Sequence, residues 1–158
     1  MKLTDIVNRK AIIARLQAAS RDDVIVEMID SLIAADAVSE DLRQDLIDAV
    51  IAREKKGSTG FGKGVAVPHV KHKAIGKMTA AIGVSEDGVD FNALDREPVY
   101  SIFLLLSPED QPEDHLLAME VIFKNLSQPK FRSFLRQAAT VEDISTLLDD
   151  ADNQTLGG

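Results

Sequence analysis

Residues 99–106 read VYSIFLLL, and this run constrains the fold more than any other stretch of the chain. A strand with one wet face alternates apolar and polar residues, whereas a run without alternation needs cover on both sides. The run is therefore read as the central strand of a sheet with helices packed above and below it. Residues 78–84 (MTAAIGV) are read as a further strand.

The rest of the chain supplies the two covering layers. Ser20 caps a helix whose Val24, Ile25, Met28, Ile29, Leu32 and Ile33 recur at helical spacing. Ser39 opens a second helix with the stripe Leu42, Leu46, Ala49 and Val50, which ends in Arg53, Lys55 and Lys56 before the stop at Gly57. Pro112 starts a helix through Leu126 and Pro129 starts another. Thr140 with Asp143 forms a capping-box pattern before a last helix at residues 144–148. Residues 11–16 (AIIARL) form an apolar run with strand character. Strands interleaved with helices imply an α/β three-layer sandwich, a central mixed β-sheet flanked by helices. At 158 residues the length fits one domain, taken as 1–150, with a polar tail from Asp149 expected to be loose and residues 151–158 flexible.

Composition removes several kinds of chemistry. Cysteine is absent, so disulfides, thiolate nucleophiles and zinc-ribbon spacings drop out. No stretch approaches the roughly 20 apolar residues of a membrane span, and no leader is read at the amino terminus; the expected location is cytoplasmic. A formal net charge of −8 disfavours nucleic acid. That charge is uneven, because residues 53–77 carry seven cations and one anion, +6, against −14 for the remainder. His69 and His72 lie in this basic window.

Residues 57–64 (GSTGFGKG) hold four glycines in eight and are read as a loop. They match the G-x-x-x-x-G-K of a nucleotide-binding loop, but Gly64 stands where Ser or Thr would hold magnesium, and the order is helix to strand instead of strand to helix. A metal site built on His69, His72, His115 and Asp114 has little support from spacing, and Lys71, Lys73 and Lys77 would repel a cation. Neither a metal nor a cofactor is expected.

The remaining reading is the handling of an anion. His69 follows Pro68 at the end of the extended segment VAVPH, which fixes the direction of its imidazole. The glycine loop offers backbone N–H groups that can converge on phosphate oxygens, with Ser58, Thr59 and Gly62 as the candidate contacts. Arg53 offers a permanently charged fork for the same oxygens. A neutral histidine has one free ring nitrogen to act as nucleophile.

The segment REKKGSTGFGKGVAVPH, Arg53 to His69, resembles the enzyme IIA domains of the fructose, mannitol and nitrogen type in the bacterial phosphotransferase system. The resemblance spans nearly the whole chain. It implies that His69 is the phosphorylated residue, that Arg53, sixteen residues earlier, belongs to the site, and that His115, ahead of Leu116 and Leu117, is the second active-site histidine. One departure is Val70, where the family usually has a small residue, commonly glycine. Within the family, GSTG and the length look most like the nitrogen-branch regulator. That resemblance implies a phosphotransferase component and not an enzyme with its own small substrate. Its partners would be a carrier of the HPr type and downstream regulatory proteins. A sugar-transport IIA passing phosphate to a IIB domain is the alternative, and a binding module without phosphotransfer is the alternative of another class.

Overall fold

The computed structural model describes residues 1–154, and in it the VYSIFLLL run is the strand to which most of the sheet attaches. In chain order the elements are α1 (Leu3–Ile6), β1 (Val7–Ile13), α2 (Arg21–Ala34), a 3-10 turn (Glu40–Leu42), α3 (Arg43–Lys56), β2 (Gly60–Gly62), β3 (Val65–Ala66), β4 (His69–His72), β5 (Thr79–Val89), β6 (Val99–Pro108), α4 (Pro112–Leu126), α5 (Pro129–Gln137) and α6 (Val141–Asp152). The sheet runs β1-β5-β6-β3-β2, with β4 also on β6. It is mixed. β5 and β6 are antiparallel, whereas β1 is parallel to β5, and β3 and β4 are parallel to β6.

Alternation along β6 divides the interior into two layers. Ile102, Leu104 and Leu106 pack in one cluster with Val24, Ile25 and Met28 of α2 and Leu46 and Val50 of α3. Phe103 and Leu105 pack in the other with Ala118, Ile122 and Leu126 of α4, Phe131 and Leu135 of α5, and Ile144 and Leu148 of α6. All five of these β6 side chains are fully buried, so the absence of alternation in the sequence reflects two apolar faces and not one. The same parity decides the strand that carries His69. Val65 and Val67 face the α4–α6 layer and Ala66 and Val70 the α2–α3 layer, which turns the odd-numbered His69 toward α4.

Helix starts follow the side chains that cap them. Ser20 accepts from the Asp23 N–H, and Thr140 and Asp143 cap each other reciprocally.

Three expectations are corrected. The first strand spans Val7–Ile13, not residues 11–16, and a short helix precedes it. Arg9 and Lys10 fit this strand because it is a sheet edge, where charged side chains reach solvent, and Arg9 pairs with Asp149. The glycine stretch is not wholly a loop, since Gly60–Gly62 pairs with Val65–Ala66 as a minimal hairpin. Nor is the chain loose from Asp149: α6 runs through Asp152, whose carboxylate accepts from the backbone N–H groups of Leu3 (2.8 Å) and Thr4 (3.1 Å) and from the Thr4 hydroxyl (2.7 Å). Those contacts satisfy the open N–H groups of α1 and tie the two ends of the chain together. The last four residues of the expected tail, 155–158, lie outside the described residues. Among the described residues no helix is long and apolar enough to cross a membrane.

Candidate functional site

Val67 and Pro68 link the short β3 to β4, whose first residue is His69, paired with Leu105 of β6. His69 thus opens a strand instead of closing one. Its Nδ1 lies 2.7 Å from the Val67 carbonyl oxygen. A carbonyl oxygen can only accept, so Nδ1 carries the proton and Nε2 keeps its lone pair. Burial holds the His69 pKa below its ordinary value of 6.5; the charges of Arg53 and Lys71 push the same way, against the Val67 hydrogen bond and the charge of Glu54. The ring is neutral at pH 7, with a bare nitrogen.

His115 stands in the first turn of α4, on the face of the sheet toward which His69 turns. The two imidazoles lie 5.5 Å apart, centroid to centroid, tilted by 46°. His115 Nδ1 is 2.7 Å from the hydroxyl oxygen of Ser107, a fully buried residue of β6. Burial, followed by electrostatic coupling to His69 and the charge of Lys71, lowers the His115 pKa to about 4. The fold therefore brings together the two histidines that the sequence separates.

Arg53 stands in the last turn of α3, where its Nη1 donates to the Gly57 carbonyl at 2.9 Å. One N–H of its fork is occupied, and its charge reaches His69. Ser58 and Thr59 spend their hydroxyls on the scaffold. Ser58 donates to the Phe91 carbonyl (2.7 Å) and accepts from the Gly60 N–H (3.0 Å), while Thr59 donates from both its backbone N–H and its hydroxyl to Glu54. Gly62 has φ +110°, a backbone open to glycine with little strain, beside the Asp95 carboxylate. These three residues shape the loop that runs from Arg53 toward His69, and the side-chain contacts of Ser58 and Thr59 point inward to the protein. His72 ends β4, and its Nδ1 accepts from the Ala74 N–H at 3.0 Å.

Val70 needs no special backbone. It pairs with Leu106 in regular strand geometry, is not among the residues with positive φ, and packs on the α2–α3 cluster.

Two residues escaped the sequence reading. Glu54 is 2% exposed and clamps Thr59; the available signal was that it continues the helical stripe of Leu42, Leu46 and Val50, the one anion among the seven cations of residues 53–77. Ser107 shares the parity of Phe103 and Leu105 and so faces α4, a cue present in the sequence once β6 is placed.

Cavities of about 490 and 370 Å³ open elsewhere, one beside Met1, Lys124 and Asp152, the other between α5 and α6, and neither is lined by His69 or His115. Leu116 and Leu117, 60% and 47% exposed, follow directly on His115. An apolar rim beside a pair of partly exposed imidazoles suits docking of another protein better than enclosure of a small substrate.

Comparison with known proteins adds to this geometry. Residues 5–151 match the family described as phosphoenolpyruvate-dependent sugar phosphotransferase system, EIIA 2. The nitrogen regulatory protein of Pseudomonas aeruginosa is 36% identical over 129 residues, 82% of this chain and 83% of that one. The fructose-specific EIIABC component of Bacillus subtilis is 30% identical over 152 residues, 96% of this chain but only 24% of that much longer protein. Among solved structures, nitrogen regulatory protein IIA-Ntr of Neisseria meningitidis superposes with a TM-score of 0.81 at 31% identity, covering 90% of this chain and 96% of that one.

Proposed function

Because this chain belongs to the EIIA 2 family of the phosphoenolpyruvate-dependent sugar phosphotransferase system, we propose that it is a phosphohistidine carrier that accepts a phosphoryl group on Nε2 of His69. The observation that carries this reading is the Val67 carbonyl 2.7 Å from Nδ1, which leaves Nε2 unprotonated in a ring that burial keeps neutral. The Nε2 lone pair forms the new P–N bond, the donor's bond to phosphorus breaks, and the donor keeps that electron pair. The positive charge that develops on the His69 ring is held by the same carbonyl, through Nδ1–H. In this reading Arg53 and an N–H of His115 stabilise the phosphoryl oxygens.

The donor in this reading is a carrier of the HPr type in the cytoplasm, docking over Leu116 and Leu117. The acceptor side is regulatory: phosphorylation alters binding to downstream proteins. The 36% identity to a nitrogen regulatory protein and the likeness to IIA-Ntr support that branch. The fructose-specific relative supports the second reading, transfer to a IIB domain. Incubating the protein with phosphoenolpyruvate, the general phosphotransfer enzyme and a carrier of the HPr type should add one acid-labile, base-stable phosphate. Absence of label, while the carrier itself is labelled, would leave a binding module without phosphotransfer. Label that then passes to a IIB domain would move the assignment to the sugar branch.

Charge near the site separates into two roles. Arg53→Ala should lower the rate at saturating carrier by about tenfold or more, since one charged donor to the transferring group is lost. Neutralising Lys63, Lys71 and Lys73 together should mainly lower the second-order rate and flatten its salt dependence, because exposed charges act at long range and are screened over about 8 Å at physiological salt. Stopped-flow transfer at several ionic strengths reads both; an unchanged salt slope in the triple variant would reduce the basic window to ordinary solvated surface.

A further inference from the structure

We propose that Ser107 is a positioning residue that holds His115 in its Nε2–H tautomer, so that the second imidazole offers the site an N–H donor while His69 offers a lone pair. The inference rests on the phosphocarrier reading for its purpose, but its geometry stands apart from it. Ser107 is the ninth residue of β6, fully buried, and Oγ lies 2.7 Å from His115 Nδ1. Among the described residues no other hydrogen-bond partner of that hydroxyl is found.

Two arrangements fit a 2.7 Å contact. If Nδ1–H donated to Ser107, the hydroxyl proton would be buried with no acceptor, and an unmet buried donor costs the full desolvation of the group. If the hydroxyl donates to Nδ1, both groups are satisfied and the ring proton is left on Nε2. The second arrangement is favoured by about tenfold or more. It applies to the neutral ring, the form that burial imposes on His115 at pH 7.

His69 is fixed in the opposite sense. The Val67 carbonyl can only accept, whereas the Ser107 hydroxyl can donate, and these two oxygens, one of the backbone and one of a side chain, select opposite tautomers in rings 5.5 Å apart. The register explains how both oxygens reach the same place. His69 pairs with Leu105 and Lys71 with Ser107 in adjacent parallel strands, and residues 69 and 107 share the α4-facing parity. During transfer His69 Nε2 gives its electron pair to phosphorus, the donor atom keeps the pair of the breaking bond, and His115 keeps its proton throughout. His115 thus serves as a hydrogen-bond donor in both directions of transfer, with no proton to reload.

Nitrogen-15 NMR of the histidine rings in the unphosphorylated protein at pH 7 tests this directly. The expected pattern is a protonated Nε2 and bare Nδ1 for His115, and the reverse for His69. A wild-type His115 protonated at Nδ1 overturns the proposal without need of any variant. Ser107→Ala should mix the two His115 tautomers while leaving the His69 pattern in place, and should lower transfer at saturating carrier by up to about tenfold; Ser107→Thr, which keeps the hydroxyl, should restore both. An unmixed His115 in a folded Ser107→Ala protein also overturns it. Failure of the wild-type protein to accept phosphate would instead sink the carrier reading, because the ring tautomers are read before any phosphate is added.

Discussion

Replacing His69 with alanine is expected to reduce phosphoryl uptake by roughly 10⁴-fold or more, the scale on which removal of a covalent nucleophile acts. Neither remaining histidine is arranged to take over. His115 Nδ1 is occupied by Ser107, and in the tautomer argued above its Nε2 bears a proton; His72 Nδ1 accepts from the Ala74 N–H at the far end of β4. The fold should tolerate the change, because His69 is only partly buried and, among the described residues, its side chain makes one hydrogen bond, to Val67. Mass mapping of the wild-type and variant proteins after equal incubation with phosphoenolpyruvate and the upstream carriers decides the matter. Phosphate mapped to any residue of the His69→Ala protein at a comparable rate would remove His69 from the centre of the site.

How much of this was legible in the sequence depends on whether a feature is made by neighbours or by distant segments. Ser20, Pro112, Pro129 and Thr140 start helices because the cap or the ring acts on the next turn of the same chain, so the residues alone suffice. The β6 run was legible because burial on both faces erases alternation. The helix at Leu3–Ile6 was not, since its N–H groups are met by Asp152, some 148 residues away. The hairpin at Gly60–Gly62 was missed for a similar reason: its strands are three and two residues long, and the contacts that hold the stretch come from Glu54, Phe91 and Asp95. In the site, Pro68 and the glycines made His69 conspicuous, and the family resemblance pointed to His115. Glu54 and Ser107 carry no local mark of their role. A carboxylate on an apolar stripe and a serine at the end of an apolar run gain their meaning only from Thr59 and His115, which the fold places against them.

Loss of the second imidazole should be the next most damaging change. His115→Ala is expected to lower the saturating transfer rate by about 100-fold, the effect of removing one oriented donor from the transferring group in a site partly shielded from water. A second consequence follows from the causes of the His69 pKa shift. Burial comes first among them, and the His115 ring is part of what covers His69. In the wild type the depressed pKa keeps Nε2 unprotonated as pH falls below 6.5, so uptake should stay level through pH 6.5 and decline only further into acid. Removing the His115 ring admits water, relieves the desolvation and lets the His69 pKa rise toward 6.5, so the acid limb of the rate profile should move to higher pH. The sign is fixed by the form that reacts, since a higher pKa protonates the nucleophile sooner on acidification. Single-turnover uptake measured from pH 5 to pH 8 for both proteins gives the rate loss and the limb position together. A variant within twofold of wild type at pH 7, with its acid limb unmoved, would show that the neighbouring imidazole neither contacts the phosphoryl group nor shields the nucleophile.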